Sequence, residues 1–90
     1  RKSKEIYYYQ NKGECDFVVA KNGVPKELYQ VCFEINSMNI DRETNGLFEA
    51  MDYFKINNST IITQNQRDTY TKDNLIINVI PAWQWMSIKE

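Results

Sequence analysis

Alternating apolar and polar positions in the first third of the chain predict three β-strands. They fall at about residues 5–10, 14–20 and 26–35, which are rich in aromatic and β-branched side chains. Asn22-Gly23 predicts a tight hairpin turn between the second and third strands, since both residue types tolerate positive φ angles. Pro25 fits only the start or the edge of a strand. These segments together predict an antiparallel meander.

The apolar spacing changes to a helical one after Asn36-Ser37. Apolar residues then recur at intervals typical of one helix face: Ile40, Leu47, Met51 and Phe54. This pattern predicts a helix at about residues 40–55, and Asp41 and Glu43 favour its N-terminal end.

Two further strands are predicted after the helix. Residues 60–63 form a short apolar run, and residues 75–80 form the last strand, which Pro81 ends. The polar segment between them, residues 64–74, is predicted to be a loop or a loose hairpin. A strand, a helix and another strand in succession predict a parallel, right-handed crossover.

The predicted fold is a single α/β domain over residues 1–90. Its mixed sheet contains an antiparallel three-strand meander and two further strands, with one crossover helix on one face. The central strands are apolar on both sides, so the second face of the sheet also needs a cover. We expect an upstream helix or a partner molecule to supply that cover.

The amino-acid composition excludes several kinds of catalysis and binding. The chain has no histidine, which excludes His-based acid–base catalysis and most zinc-site patterns. Its formal net charge of -1 provides no broad basic field for nonspecific binding of nucleic acid. Cys15 and Cys32 fall on strands predicted to be neighbours, where a disulfide is geometrically conceivable, and two reduced thiols are the simpler interpretation.

The sequence also carries an expectation about the cellular location of the protein. No apolar run reaches the ~20 residues that span a bilayer, and no signal peptide is visible. We therefore expect a cytoplasmic protein without membrane contacts. Arg1 opens the chain inside a charged stretch, which indicates a piece of a longer protein.

Asp16 places a carboxylate in the middle of an apolar strand. Such a charge costs free energy unless it is solvated, paired or bound to a metal. Gln30 and Cys32 follow on the next predicted strand and, being two residues apart, project from one face.

Short motifs spread over most of the chain keep a particular order: Ile6-Tyr7-Tyr8-Tyr9, Gly13-Glu14-Cys15-Asp16-Phe17-Val18-Val19, Leu28-Tyr29-Gln30-Val31, Arg42-Glu43 with Gly46-Leu47-Phe48-Glu49-Ala50-Met51, Ile61-Ile62-Thr63, and Val79-Ile80-Pro81-Ala82-Trp83-Gln84-Trp85. The pattern resembles the C-terminal domain of a family of bacterial and archaeal AAA-type ATPases. That domain is similar to restriction-endonuclease-like folds.

The resemblance implies a degenerate site. In active members of that superfamily an Asp and a Glu hold Mg²⁺, and a nearby Lys assists attack on phosphate. Asp16 matches the Asp and is the one candidate metal ligand. Gln30 stands where the Glu would be, and Cys32 stands where the Lys would be. No catalytic residue is therefore expected in this chain, and Mg²⁺ is expected only if nuclease activity persists.

ATP is not expected to bind here. The three glycines, Gly13, Gly23 and Gly46, are isolated, and no phosphate-binding loop occurs. The resemblance places ATP in an upstream domain and implies an auxiliary role for this one: docking to its own ATPase domain, forming a homo-oligomer or recognising a partner. A Mg²⁺-dependent nuclease using Asp16, and a nucleic-acid-binding module without cleavage, are the open alternatives.

Strand register distinguishes the plain hairpin from the nuclease-like fold. A two-residue turn at Asn22-Gly23 sets Asp16 opposite Tyr29 and sends Gln30 to the other face. Asp16 and Gln30 share a face only if the loop is odd in length or a β-bulge intervenes. The nuclease-like fold requires that shared face.

The other acidic side chains have simpler interpretations. Glu14 shares the face of Asp16 and is expected to be a solvated strand end. Glu34 continues the face of Gln30 near the strand end, and Glu43 and Glu49 are expected to form a solvated helix face.

Five aromatic side chains could stack on nucleic-acid bases: Tyr7, Tyr8, Tyr9, Trp83 and Trp85. Without a basic surface around them, packing or a partner interface is the expected role.

Overall fold

A computed structural model describes the backbone of residues 4–11 and 14–89 and the side chains of residues 17–87. Within these residues lie β1 (Lys4–Asn11), β2 (Glu14–Lys21), β3 (Val24–Val31), α1 (Ile40–Phe54), β4 (Asn58–Thr63), β5 (Asp68–Lys72), β6 (Leu75–Pro81) and α2 (Ala82–Lys89). The predicted turn at residues 11–13 lies mostly outside the described residues.

The strands form one mixed sheet in the order β1-β2-β3-β4-β6-β5. The first three strands are antiparallel, as predicted. β4 lies parallel to β3 across α1, so the predicted crossover is confirmed. β6 is parallel to β4, and β5 is antiparallel to β6. The fold class is therefore mixed α/β, as expected.

α1 coincides with the helix predicted from apolar spacing. Leu47 and Met51 are fully buried, and Phe54 packs at the margin of the same cluster. The helix ends at Lys55, whose left-handed backbone (φ 61°) directs its N–H back to the carbonyl groups of Asp52 and Met51. One face of the sheet is thereby closed by an apolar helix stripe.

The prediction of a single helix is wrong, because α2 lies against the opposite face. Trp85 on α2 contacts Phe17 and Tyr29 edge-on, with ring centroids 6.5 Å and 5.8 Å away. These rings surround a small cluster with Val19 and Ile62. At least part of the cover expected from an upstream helix or a partner therefore comes from the chain itself.

The third strand is shorter than predicted. It ends at Val31 rather than at residue 35, and Cys32 makes one further bond from its N–H to the carbonyl of Ile62 (2.9 Å). Beyond that point the backbone groups of Ile35 pair with the side chain of Gln66 instead of a strand.

The polar segment at residues 64–74 contains β5, so three strands follow α1 rather than two. Asp73 (φ 56°) lies in the turn between β5 and β6, which confirms the hairpin alternative. Tyr70 on β5 is half-buried. Burial raises the pKa of its hydroxyl above the ordinary 10.0, and the charge of Asp68 and a hydrogen bond to it add to this rise.

A β-bulge in β3 sets the register of the first hairpin. Ala20 pairs with Pro25 but Val19 pairs with Glu27, so Lys26 is an extra residue without a partner across the hairpin. The turn itself is the predicted Asn22-Gly23 pair, with φ angles of 57° and 79°. From the bulge onward the pairing matches the register that the nuclease-like fold requires.

Among the described residues, no helix is both long enough and apolar enough to cross a lipid bilayer.

Candidate functional site

The backbone pairing sets Asp16 directly opposite Gln30. Directly opposed residues of antiparallel strands lie on the same face of a sheet. Val18 and Leu28 form the next pair on that face, and both belong to the cluster under α1. Positions 16 and 30 therefore share the face that α1 covers, as the sequence-based condition required. The side chain of Asp16 lies outside the described residues.

Gln30 is a polar side chain in an apolar surrounding. It is 1% exposed, and its Nε2 group donates a hydrogen bond to Oε1 of Glu43 on α1. Glu43 is 2% exposed, so the expectation that it lies on a solvated helix face is wrong. The expectation for Glu49 is confirmed, since that side chain is exposed.

The second oxygen of Glu43 accepts a hydrogen bond from Arg42. Nη2 of Arg42 lies 3.1 Å from Oε2 of Glu43, and the arginine side chain is more than half exposed. Glu43 also lies in the first turn of α1, where the helix dipole favours negative charge. The buried charge is thus supported by an amide, a guanidinium group and a helix terminus.

The start of α1 is held in place by the loop at residues 32–39. Gln66 bonds to both backbone groups of Ile35: Oε1 accepts from its N–H (2.7 Å), and Nε2 donates to its carbonyl (2.8 Å). Asn36 and Asn39 then exchange hydrogen bonds just before the helix begins. These contacts fix where α1 starts and therefore where Glu43 meets Gln30.

Cys32 lies in the apolar cluster under α1. Its thiol is buried, and Sγ is 3.4 Å from the carbonyl oxygen of Glu34. The side chain of Cys15 lies outside the described residues, so the conceivable disulfide stays untested. A thiol in this setting supplies no positive charge toward the face shared by positions 16 and 30.

The described side chains of Gln30 and Glu43 do not fit a divalent metal as they are arranged. Each carboxylate oxygen of Glu43 already accepts a hydrogen bond, and the amide of Gln30 turns its donor toward Glu43. Within residues 17–87, no three His, Cys, Asp or Glu side chains are grouped as metal ligands would be. Glu34 is exposed on the loop beyond β3 and does not join the site.

Glu43 is the site residue that the sequence analysis misplaced, although the sequence contains a signal for it. It precedes Leu47 by four residues and Met51 by eight, so it lies on the buried stripe of α1. A carboxylate in such a stripe needs a buried partner, and Gln30 is the partner.

Of the aromatic side chains considered for stacking on nucleic-acid bases, one is packed in the protein and another is exposed. Trp85 packs against Phe17 and Tyr29, so the packing expectation is confirmed for it. Trp83 is 56% exposed, and the guanidinium carbon of Arg67 lies 5.1 Å from its ring centroid. The side chains of Tyr7, Tyr8 and Tyr9 lie outside the described residues.

Comparison with known proteins gives one informative match. The chain is 32% identical to the uncharacterized protein MJ1544 of Methanocaldococcus jannaschii over 90 aligned residues, which cover 92% of this chain. The match covers 20% of that relative, so the chain spans about one fifth of its length. No protein-family model matches the chain, and no solved structure matches it.

Proposed function

We propose that this chain is a non-catalytic interaction domain at the C-terminal end of a AAA-type ATPase, with a degenerate restriction-endonuclease-like core. The observation that carries the proposal is the hydrogen bond from Gln30 to Glu43. The neutral amide of Gln30 stands where an active site of that type needs a second metal-binding carboxylate. The N–H of this amide already donates to Glu43.

The architecture supports the same proposal. An antiparallel meander, a crossover helix and a parallel strand follow one another in the order that the resemblance implies. The bulge at Lys26 brings positions 16 and 30 onto one face. The matched segment is a fifth of MJ1544, which leaves room in such a protein for an ATPase domain.

The charge of the site argues against cleavage of phosphodiesters. Such cleavage needs a held cation and a positioned water, and Mg²⁺ is usually held by one or two carboxylates together with substrate oxygens. Gln30 is neutral, and Cys32 lacks the charge of an ammonium group. The loss of one preorganised charge-stabilising group already lowers rates by roughly 10²–10³.

Incubation with single- and double-stranded DNA and RNA in Mn²⁺ or Mg²⁺ tests the absence of catalysis. We expect no cleavage by the natural chain. Asp16→Ala serves as the control for contaminating nucleases. Cleavage that disappears in Asp16→Ala would contradict the proposal.

The interaction role has its own test. The proposed ATPase region, expressed separately from the same gene, should bind this domain in titration calorimetry. Gln30→Ala, which disturbs the face under α1, should leave this binding unchanged if the domain stays folded. Absence of binding to the ATPase region would remove docking from the proposal.

One observation favours a second candidate function, a Mg²⁺-dependent nuclease in which the carboxylate of Glu43 would have to release Gln30 or Arg42. Glu43 supplies a buried carboxylate next to Gln30, whose partner across the hairpin is Asp16. This candidate requires that Mn²⁺-dependent cleavage exist and that both Asp16→Ala and Glu43→Gln abolish it. A cleavage activity that survives Glu43→Gln would exclude this arrangement.

A further inference from the structure

β5 is the last strand at one end of the sheet. It pairs with β6 on one side, and no strand of the described residues lies on its other side. The N–H of Thr69 donates to Oδ1 of the neighbouring Asp68 (2.8 Å), a bond that fits an N–H pointing off the sheet. Backbone direction alternates along a strand, so the N–H and carbonyl of Thr71 point the same way.

The exposed side chains of this edge have opposite charges at its two ends. The strand reads Asp68-Thr69-Tyr70-Thr71-Lys72, and all of these residues except Tyr70 are exposed. Charged residues usually protect an edge from other strands by repulsion. Here an acid at one end and a base at the other make the strand complementary to itself in the antiparallel direction.

We propose that β5 is a homodimer interface, at which a second copy of the chain adds its own β5 antiparallel about a two-fold axis at Tyr70. This inference does not depend on the ATPase or nuclease-like assignment. The pairing sets Asp68 opposite Lys72 of the partner subunit. It also sets Thr69 opposite the partner's Thr71.

Only this register pairs Asp68 of each copy with Lys72 of the partner subunit. A shift by one residue would set side chains of opposite faces against each other. A shift by two residues would set Asp68 or Lys72 opposite the partner's Tyr70 and lose both ion pairs. In the proposed register, Thr69 and Thr71 exchange backbone hydrogen bonds with their counterparts, so the N–H of Thr69 gives up its bond to Asp68. Tyr70 faces its own copy in the closer type of pair.

The dimer should be weak, because one short strand buries much less than the area typical of stable interfaces. Sedimentation equilibrium of the chain should show a monomer–dimer equilibrium that shifts with concentration. Asp68→Lys should raise the dimer dissociation constant about tenfold or more, since both cross-strand pairs become repulsive. The double variant Asp68→Lys with Lys72→Asp should restore the natural constant, and Glu34→Lys, the same charge change on an exposed loop, should leave it unchanged.

A backbone variant gives an independent check. Thr71→Pro removes an N–H that points off the sheet, whereas the bonds between β5 and β6 remain. It should abolish dimerisation without changing the circular dichroism spectrum. If this variant does not fold, the comparison of Asp68→Lys with the double variant Asp68→Lys and Lys72→Asp tests the interface instead.

Disulfide trapping tests the register. In a Cys15→Ser background, oxidation of Tyr70→Cys should give a covalent dimer, because position 70 faces itself at a Cα separation of roughly 4.5 Å, within the range of a disulfide. Lys72→Cys should not cross-link, since position 72 faces position 68. A monomer at every concentration, or equal cross-linking through Lys72→Cys, would overturn the proposal and leave this edge for a strand of a different molecule.

Discussion

Glu43 places a carboxyl group inside a small domain, and each of its two oxygens has a hydrogen-bond partner. One oxygen accepts from the Gln30 amide, and the other accepts from Arg42. The two elements that supply these partners, β3 and the first turn of α1, both contribute to the apolar cluster between helix and sheet. The pair between Gln30 and Glu43 therefore belongs to the stability of the fold.

Removal of the carboxylate should leave the buried amide of Gln30 without an acceptor. We expect Glu43→Ala to lower the free energy of unfolding by about 1–3 kcal/mol, which is the penalty for a buried unsatisfied polar group. Glu43→Gln keeps an acceptor for Gln30 and should cost less. Urea denaturation of the two variants would show this order, and equal losses would mean that the hydrogen bond contributes nothing.

Tyr70 gives the domain a dependence on alkaline pH. Its pKa is raised in the folded state, so the neutral hydroxyl is favoured by folding. This contribution is fully present below the ordinary pKa of 10.0 and is lost as the pH rises above 10.0 through the folded pKa.

Asp68→Asn removes the charge of Asp68, one cause of the raised Tyr70 pKa, and leaves burial, the largest one. The loss of stability between about pH 9 and about pH 11 should therefore be smaller in this variant than in the natural chain. Urea midpoints at the two pH values measure the difference, with Asp73→Asn in the adjoining turn as control. A larger loss in Asp68→Asn would show that the carboxylate does not raise the Tyr70 pKa.

At the scale of elements, α1 depends on a narrow apolar stripe. Met51 is completely buried, and its Sδ atom lies 3.1 Å from Oγ of Ser59 on β4. Met51→Ala should lower the free energy of unfolding by about 2–5 kcal/mol. Met38 offers a control of the same residue type, since it is 91% exposed. Similar losses for Met51→Ala and Met38→Ala in thermal or urea denaturation would mean that the buried face of α1 is assigned wrongly.

The loop before α1 depends on Gln66, whose side chain bonds to the backbone of Ile35 as a neighbouring strand would. Gln66→Ala should leave both backbone groups of Ile35 unpaired and cost about 1–3 kcal/mol. Gln64→Ala is the matched control, because Gln64 is exposed and contributes a backbone bond to Phe33. Hydrogen exchange at residues 32–39 should speed up in Gln66→Ala alone, and equal exchange in the two variants would contradict this assignment.

Element boundaries show where sequence reasoning succeeds. α1 was predictable because its apolar residues follow one period over fifteen positions. β5 was predicted only as one of two alternatives, a loose hairpin, because an edge strand with one neighbour needs little apolar character and its residues are mostly polar. α2 has no comparable amphipathic stripe, and Pro81 before it suggested an end rather than a new element. β3 ends at Val31, and beyond it the side chain of Gln66, from a distant part of the chain, pairs with the backbone of Ile35.

At the scale of the whole molecule, the two faces of the sheet are unequal. The cluster under α1 draws residues from α1 and four strands, whereas the cluster under α2 centres on Val19, Tyr29 and Ile62. The smaller cluster relies on aromatic contacts from α2. The candidate site follows the same division, since positions 16 and 30 lie on the better-covered face.

Trp85 should therefore be the side chain that shields the sheet face under α2 from solvent. Trp85→Ala removes the contacts with Phe17 and Tyr29 and should cost about 3 kcal/mol. It should also increase binding of a hydrophobic dye to the folded protein. Trp83→Ala, at an exposed position on the same helix, should change both quantities less. Dye binding that is the same in both variants would show that α2 does not shield the face.

The sequence alone defines part of the candidate site. Asp16 and Gln30 could be named because a carboxylate and an amide interrupt apolar strands, and their shared face could be stated as a condition on register. Whether the condition is met depends on the bulge at Lys26, whose position arises from how Pro25 and Glu27 pair. The bond between Gln30 and Glu43 joins residues thirteen positions apart and depends on where α1 begins.

The bulge also means that the hairpin is one residue longer than its pairing needs. Pro25 and Glu27 are already matched with Ala20 and Val19, and the side chain of Lys26 is exposed. A chain without residue 26 would still bring positions 16 and 30 together, joined by a flatter ribbon. Homologues are thus free to differ in length at this point, and a one-residue gap here in an alignment would signal altered strand twist while the site stays intact.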